Sequence, residues 1–401
     1  MVFDTPVANT GVHKEAATML GVKLCEEYGL KLLWMGCRHH ISELIMKAVW
    51  ELKFGVTRSK DKEDMKKFKK DYWNMIDRSK KMKTLPNLQQ IEQDLPVPFL
   101  LAKKKESVKE IMKILTNKNS KGQLSRDDYR ESLELALLML GEIPPRGFHL
   151  QGLGPTHHAR WMSSLLYAPK MYGFSEQIED YDCEMVQKLE DIVMFTSLVY
   201  CKYWINAPNG RDAPVLDLQL YNDLLSLSSF YPDIAEVSLT VLARHTWYLT
   251  QEVVIFAMCS GLITNQEKED IATKVLNYPR PTEFNPGKPT LPTLSPDMKL
   301  SDFVGQNSWL LLVILKLEGH WLNQPAGQRK DIPEFLLFEE YVVHTKVVND
   351  TAERAIKLWS DYLNILTTDE MKREGLVQVV EDHRMRVKGR KKSVAWEGIK
   401  L

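Results

Sequence analysis

Hydrophobic and polar positions alternate at the start of this chain in short blocks that change period. Residues 1–5 are brief and β-like, and "NTGVHKEAATMLGVKLCEEYG" then carries helical spacing, with Asn9 or Thr10 near its start and Gly29 closing it. "LKLLWMGC", residues 30–37, is an apolar run of strand length. "RHHISELIMKAVWELKF" repeats apolar residues at Ile41, Leu44, Ile45, Ala48 and Val49, which predicts a helix. The opening therefore reads strand, helix, strand, helix, the rhythm of a sheet with crossover helices.

Beyond residue 56 the rhythm becomes helical. "DDYRESLELALLMLG", "CEMVQKLEDIVMFTSLVYCKYWI" and "AEVSLTVLARHTWYLTQEVVIFAMCSGL" each predict one helix, and "SWLLLVILKLEGHWL" predicts a buried one. "PEFLLFEEYVVHTKVVNDTAERAIKLWSDYLNILT" predicts a long helix, and "TTDEMKREGLVQVVEDHR" a further one with Thr368 as its N-cap. Residues 278–298 hold six prolines and read as an extended linker or strap. The expected organisation is a core segment 1–56, a helical insertion 57–335 containing the 278–298 linker, C-terminal core helices 336–384 and a basic tail 385–401. The fold class is mainly α with a small α/β part.

Composition narrows the function classes. At 44% hydrophobic and 26% charged residues the chain has material for a large core. Formal net charge is zero, so attraction to a polyanion has to come from local patches. Residues 57–83 form one such patch, with eleven basic and five acidic side chains, and with Tyr72 and Trp73 among the lysines. That pattern suits a solvated helix or a phosphate-tracking surface. Five scattered cysteines without C-x-x-C spacing fit a reduced intracellular protein. No run reaches the about 18 to 20 apolar residues of a membrane span, no signal peptide is expected at the N-terminus, and no small-molecule cofactor motif stands out.

Three clusters carry candidate chemistry. Asp4 follows a β-like start, beside Thr5, Asn9 and Gly11. Cys37 and His40 are spaced C-x-x-H where a strand becomes a helix. Asp350 and Glu353 share a helix face in "KVVNDTAERAIKL". Each has a plain structural alternative. Asp4 is also a turn residue that caps a helix, Cys37 and His40 a buried cysteine and hydrogen-bonded histidine at a helix start, and Glu353 part of a solvated face. His39 is expected to be exposed.

The order of these phrases, with "FDTPVANTG" first, then "LLWMGCRHHISEL", "HHARWMSSLLY" and "VVNDTAERAIKL", resembles the RNase H-like (DDE) transposases, in particular the hAT group. The resemblance spans essentially the whole chain. It implies a partial RNase H-like core interrupted by a large all-helical insertion. It also implies that Asp4 is the second catalytic acid and Glu353 the third, both toward Mg²⁺, with Arg160 and Trp161 as nucleic-acid contacts in the insertion and Cys37 and His40 as a structural motif. The expected partners are DNA and a second copy, and the expected location is nuclear, with the basic "RVKGRKK" as an import signal or nucleic-acid arm. Only three residues precede Asp4, so the family's first acid has no counterpart in this sequence. The expectation is a remnant or domesticated protein that is non-catalytic as written. Two alternatives stay open: a fragment of an active transposase whose first Asp lies upstream of Met1, and a helical interaction scaffold without a nucleic-acid role.

Overall fold

Two very short strands and the helix between them set the N-terminal geometry. In the computed structural model, which describes residues 2–3, 16–29, 32–56, 62–86, 98–117, 127–154, 162–281 and 288–348, β1 (Val2–Phe3) pairs in parallel with β2 (Met35–Gly36). Parallel neighbours need a crossover, and α1 (Ala16–Tyr28) supplies it, ending at Gly29 in the left-handed region at φ 64°. The register is Val2 to Met35 and Phe3 to Gly36. Strand pairing is shorter than the apolar run 30–37 suggests, since only Met35 and Gly36 enter the ladder.

The rest is helix. α2 (Arg38–Phe54) buries Ile41, Ile45, Met46, Val49 and Trp50 along one stripe, each contributing roughly 1.5–3 kcal/mol. Its main partner is α10 (Pro232–Leu242). Between them in sequence come α3 (Glu63–Lys67), which runs into a π-helical turn at Phe68–Tyr72, then α4 (Pro98–Thr116), α5 (Asp127–Met139) and α6 (Met162–Gly173). α7 (Cys183–Phe195) continues through a second π turn, Thr196–Tyr200, into α8 (Cys201–Asn206), and α9 (Ala213–Leu227) follows. The π turn presents the Leu198 carbonyl sideways to the Ser107 hydroxyl of α4 at 2.6 Å. Beyond α10 lie α11 (Asn265–Leu276), α12 (Leu310–Ile314) and α13 (Pro333–His344). Mainly helical is thus the architecture. Residues 1–348 make one compact unit, so the front segment and the long helical stretch share it.

Three expected helices are shorter than their patterns suggest. The 235–262 run leaves the α conformation after Leu242 and continues as 3-10 turns at Trp247–Leu249 and Val254–Cys259. The 308–322 run keeps α geometry only over Leu310–Ile314, because Lys316 and Gly319 both adopt positive φ, 55° and 82°. The long C-terminal helix stops at His344, where Thr345 turns extended at ψ 124°. The following strap, 345–348, is pressed close to Gly210: a Cβ there would meet the Thr345 carbonyl at 3.1 Å and that of Val342 at 3.3 Å. The helix predicted from Thr368 lies outside the described residues.

Candidate functional site

Several elements converge on the first turn of α2. Cys37, its N-cap residue, is buried and follows β2 directly. Helix starts leave amides without intrahelical partners, and here two distant carbonyls take consecutive ones. The Cys37 amide donates to the Phe3 carbonyl at 2.8 Å, and the Arg38 amide to the Val347 carbonyl at 2.9 Å. Both ends of the first compact unit therefore meet at one helix terminus.

Arg38 is the chief charge of this junction, and it is buried. Its Nε and Nη2 donate to Asp217 Oδ1 of α9 at 3.2 and 2.5 Å, and its Nη1 donates to the Ala207 carbonyl at 3.0 Å. Burial pushes the Asp217 carboxyl above its ordinary range, and Arg38 works against that shift. His39 corrects the expectation of exposure. It is only 4% exposed, stacked on Trp204 at 4.2 Å with the rings 7° from parallel, and its Nε2 lies 3.1 Å from the Trp204 carbonyl. A ring one residue into α2 turns inward because α8 packs across that end. His40 is half-buried and close enough to His245 to act on it electrostatically. Burial first, then His40, Arg244 and Lys288, bring the His245 imidazole down to about 4.

Cys37 and His40 are thus both at the α2 start. Among the described residues no group of three or more His, Cys, Asp or Glu side chains is placed to hold a metal ion. Asp4, Arg160, Trp161 and Glu353 lie outside the described residues, as does Asp350.

The basic segment is more self-contained than its composition suggests. Lys62 is buried, with its amine 4.5 Å from the centre of the Trp50 ring and donating to the Ser164 hydroxyl. Burial brings it down to about 7, with Glu51 opposing. Lys67 reaches Asp180 at 3.0 Å, the Tyr72 hydroxyl donates to the same carboxylate, and Lys69 donates to the Gly154 carbonyl at 2.9 Å. The loop carrying Asp180 also exposes Glu176 and Glu179, so an acidic surface adjoins the lysines. Nearby, Lys53, Asp64, Asp182, Glu184 and Lys188 line an open groove of about 450 Å³, too mixed in charge to select one ligand sign.

No family model, curated protein or solved structure matches the chain. Sequence reasoning missed Arg38, Asp217 and Val347 as junction residues, and also Tyr248, whose buried hydroxyl donates to the Gly36 carbonyl of β2 at 2.7 Å. One trace of them was legible: Asp217 interrupts the apolar "APVLDLQL", and a lone acid on a buried helix calls for a cation.

Proposed function

We propose that this chain is a transposase-derived, RNase H-like protein that binds DNA through its helical block, with Asp4 and Glu353 as two members of an acid set. The observation that carries this reading is the double cap on α2. Phe3 directly precedes Asp4, Val347 closely precedes the 350–353 stretch, and their carbonyls accept neighbouring amides of one helix. A parallel strand pair joined by a crossover helix also supports it, since an RNase H-like core requires one. Mg²⁺ prefers oxygen donors, so two carboxylates suit it, and when bound it would polarise a phosphoryl oxygen. The activity proposed for this chain is DNA binding, in the nucleus.

The test is proximity. With Cys25 and Cys183 changed to serine, Asp4→Cys and Glu353→Cys are joined by a short bis-maleimide. Efficient intramolecular cross-linking is expected, and its absence sinks the acid pair. For the DNA role, Trp161→Ala should weaken binding of a hairpin with unpaired flanking bases about tenfold in fluorescence anisotropy, the scale of one base–aromatic stack, ~1–3 kcal/mol. Equal affinity would remove the stacking role.

A second reading, a helical interaction scaffold, draws on the Lys67–Asp180 pairing, which spends part of the basic excess inside the molecule. Sedimentation equilibrium separates the two: self-association with no DNA retention favours the scaffold.

A further inference from the structure

We infer that Arg244, His245 and Lys288, with His40 nearby, form a binding site for a phosphoryl group where α10 ends. All four lie within residues 1–348, and none belongs to the acid pair or the stacking role proposed above. Separate stretches bring these side chains together. Arg244 and His245 form the turn that closes α10. The next residue, Thr246, ties that turn to the 288–292 stretch, its hydroxyl donating to the Pro292 carbonyl at 3.1 Å. On the same stretch, Lys288 holds its amine 5.6 Å from the centre of the Trp247 ring. His40 comes from the first turn of α2. Arg244 is exposed, and His40, His245 and Lys288 are half-buried, so a small ligand can reach them.

Cations at a helix C-terminus ordinarily answer the helix dipole. Here the Leu239, Val241 and Leu242 carbonyls already accept the amides of Ala243, Arg244 and His245 at 2.9, 3.1 and 2.8 Å, and Lys288 and His40 come from outside α10. What the neighbourhood lacks is acceptors. His245 Nδ1 is buried without a hydrogen-bond partner, so the proton of the neutral ring is better placed on Nε2, the nitrogen left to donate to a ligand. The indole N–H of Trp247, whose ring faces Lys288, is buried and unpartnered too, as is that of Trp34, which meets the same Phe3 ring edge-on. Among the described residues, the charged groups that act on His245 are His40, Arg244 and Lys288, all of one sign, with no carboxylate beside them. A phosphoryl group supplies both missing parts, acceptor oxygens for the guanidinium and the ring N–H and close to two negative charges to set against Arg244 and Lys288. A carboxylate brings one charge and two oxygens, a poorer match.

The probe is inorganic phosphate, exchanged against chloride at constant ionic strength and about pH 7.5, where it carries close to two charges. Histidine ring resonances of the full chain are followed by NMR. The His245 resonances should move saturably, and in phosphate its titration should rise from about 4 toward the ordinary histidine range. Arg244→Gln and Lys288→Gln should each weaken binding about tenfold, the scale of one hydrogen bond to a charged group. Lys274→Gln, which removes an exposed lysine of α11, should keep the parental affinity. No shift in the parent overturns the site. A shift that never saturates, or one weakened equally in all three variants, reports screening alone and overturns it as well. A short DNA strand that displaces phosphate from His245 assigns the phosphoryl group to a nucleic-acid backbone, whereas one that leaves phosphate in place assigns it to a small phosphorylated molecule.

Discussion

Single buried charges set the sharpest expectations. The Lys62 amine titrates near 7 in the folded chain, whereas an unfolded lysine titrates near ~10.4. Between those values the unfolded chain holds the extra proton, so raising the pH favours folding, and the burial penalty is fully present below pH 7. Urea midpoints should therefore rise between pH 7.5 and 9.5, with a slope of up to ~1.4 kcal/mol per pH unit from this group. Lys62→Met should flatten most of that rise, leaving a part to Lys170, which burial also lowers. An unchanged slope would mean the amine is not buried in solution. Asp217→Asn leaves the Arg38 guanidinium buried beside a neutral amide, and a loss of about 3 kcal/mol is expected in urea denaturation. At this scale the sequence was only partly readable. The helix start at Cys37 could be found from its pattern. The inward turn of His39 could not, because it depends on Trp204, which only the tertiary fold brings near.

Elements were readable where they are two-faced and hidden where they are wholly buried. α2 and α7 each keep a polar side, so period 3.6 is visible. The stretch from Trp247 through Cys259 is almost entirely buried, leaving no polar stripe to reveal that its turns are tighter. Val253, Val254 and Ile255, stiff at χ1, also favour leaving the α-helix. The strap gives one expectation here. Gly210→Ala pushes a methyl group against two backbone carbonyls that cannot easily give way, and a cost of ~1–3 kcal/mol is expected. Trypsin should then cut after Lys346, which is exposed, markedly faster than in the parent. A second concerns α11, where Thr264 and Glu267 form a reciprocal capping box. Thr264→Ala should cost about 1 kcal/mol by urea titration.

Charge is the property best judged over the whole molecule. Zero net charge conceals pairing across elements, as where Lys103, Glu106, Lys202 and Asp223 close a ring between α4, α8 and α9. Burial works to raise Glu106, yet the two lysines lower it on balance. The basic run 57–83 was plain in the sequence, while the acidic loop that faces it was not, since the two are about a hundred residues apart. Asp180→Lys should free Lys67 and add a charge, so the variant is expected to elute from heparin at distinctly higher salt than the parent. Elution at the same salt would mean that this surface does not meet polyanions. The mainly helical class was legible in the same way. Which side chains surround the α2 start was not, because Arg38, Asp217, Tyr248 and Val347 come from four separate stretches.

The double cap on α2 also has a consequence for biosynthesis. Its Cys37 amide can find Phe3 early, but its Arg38 amide waits for Val347, some three hundred residues later on the ribosome. At about 5–20 residues per second, that is a delay of roughly 15–60 s. Through that interval the nascent chain carries a helix whose first turn is half-finished, and the closing of the junction is a late event of long contact order. A chain stalled before Val347 should therefore show a protected Cys37 amide beside an unprotected Arg38, a difference of one residue that reports whether translation has passed Val347.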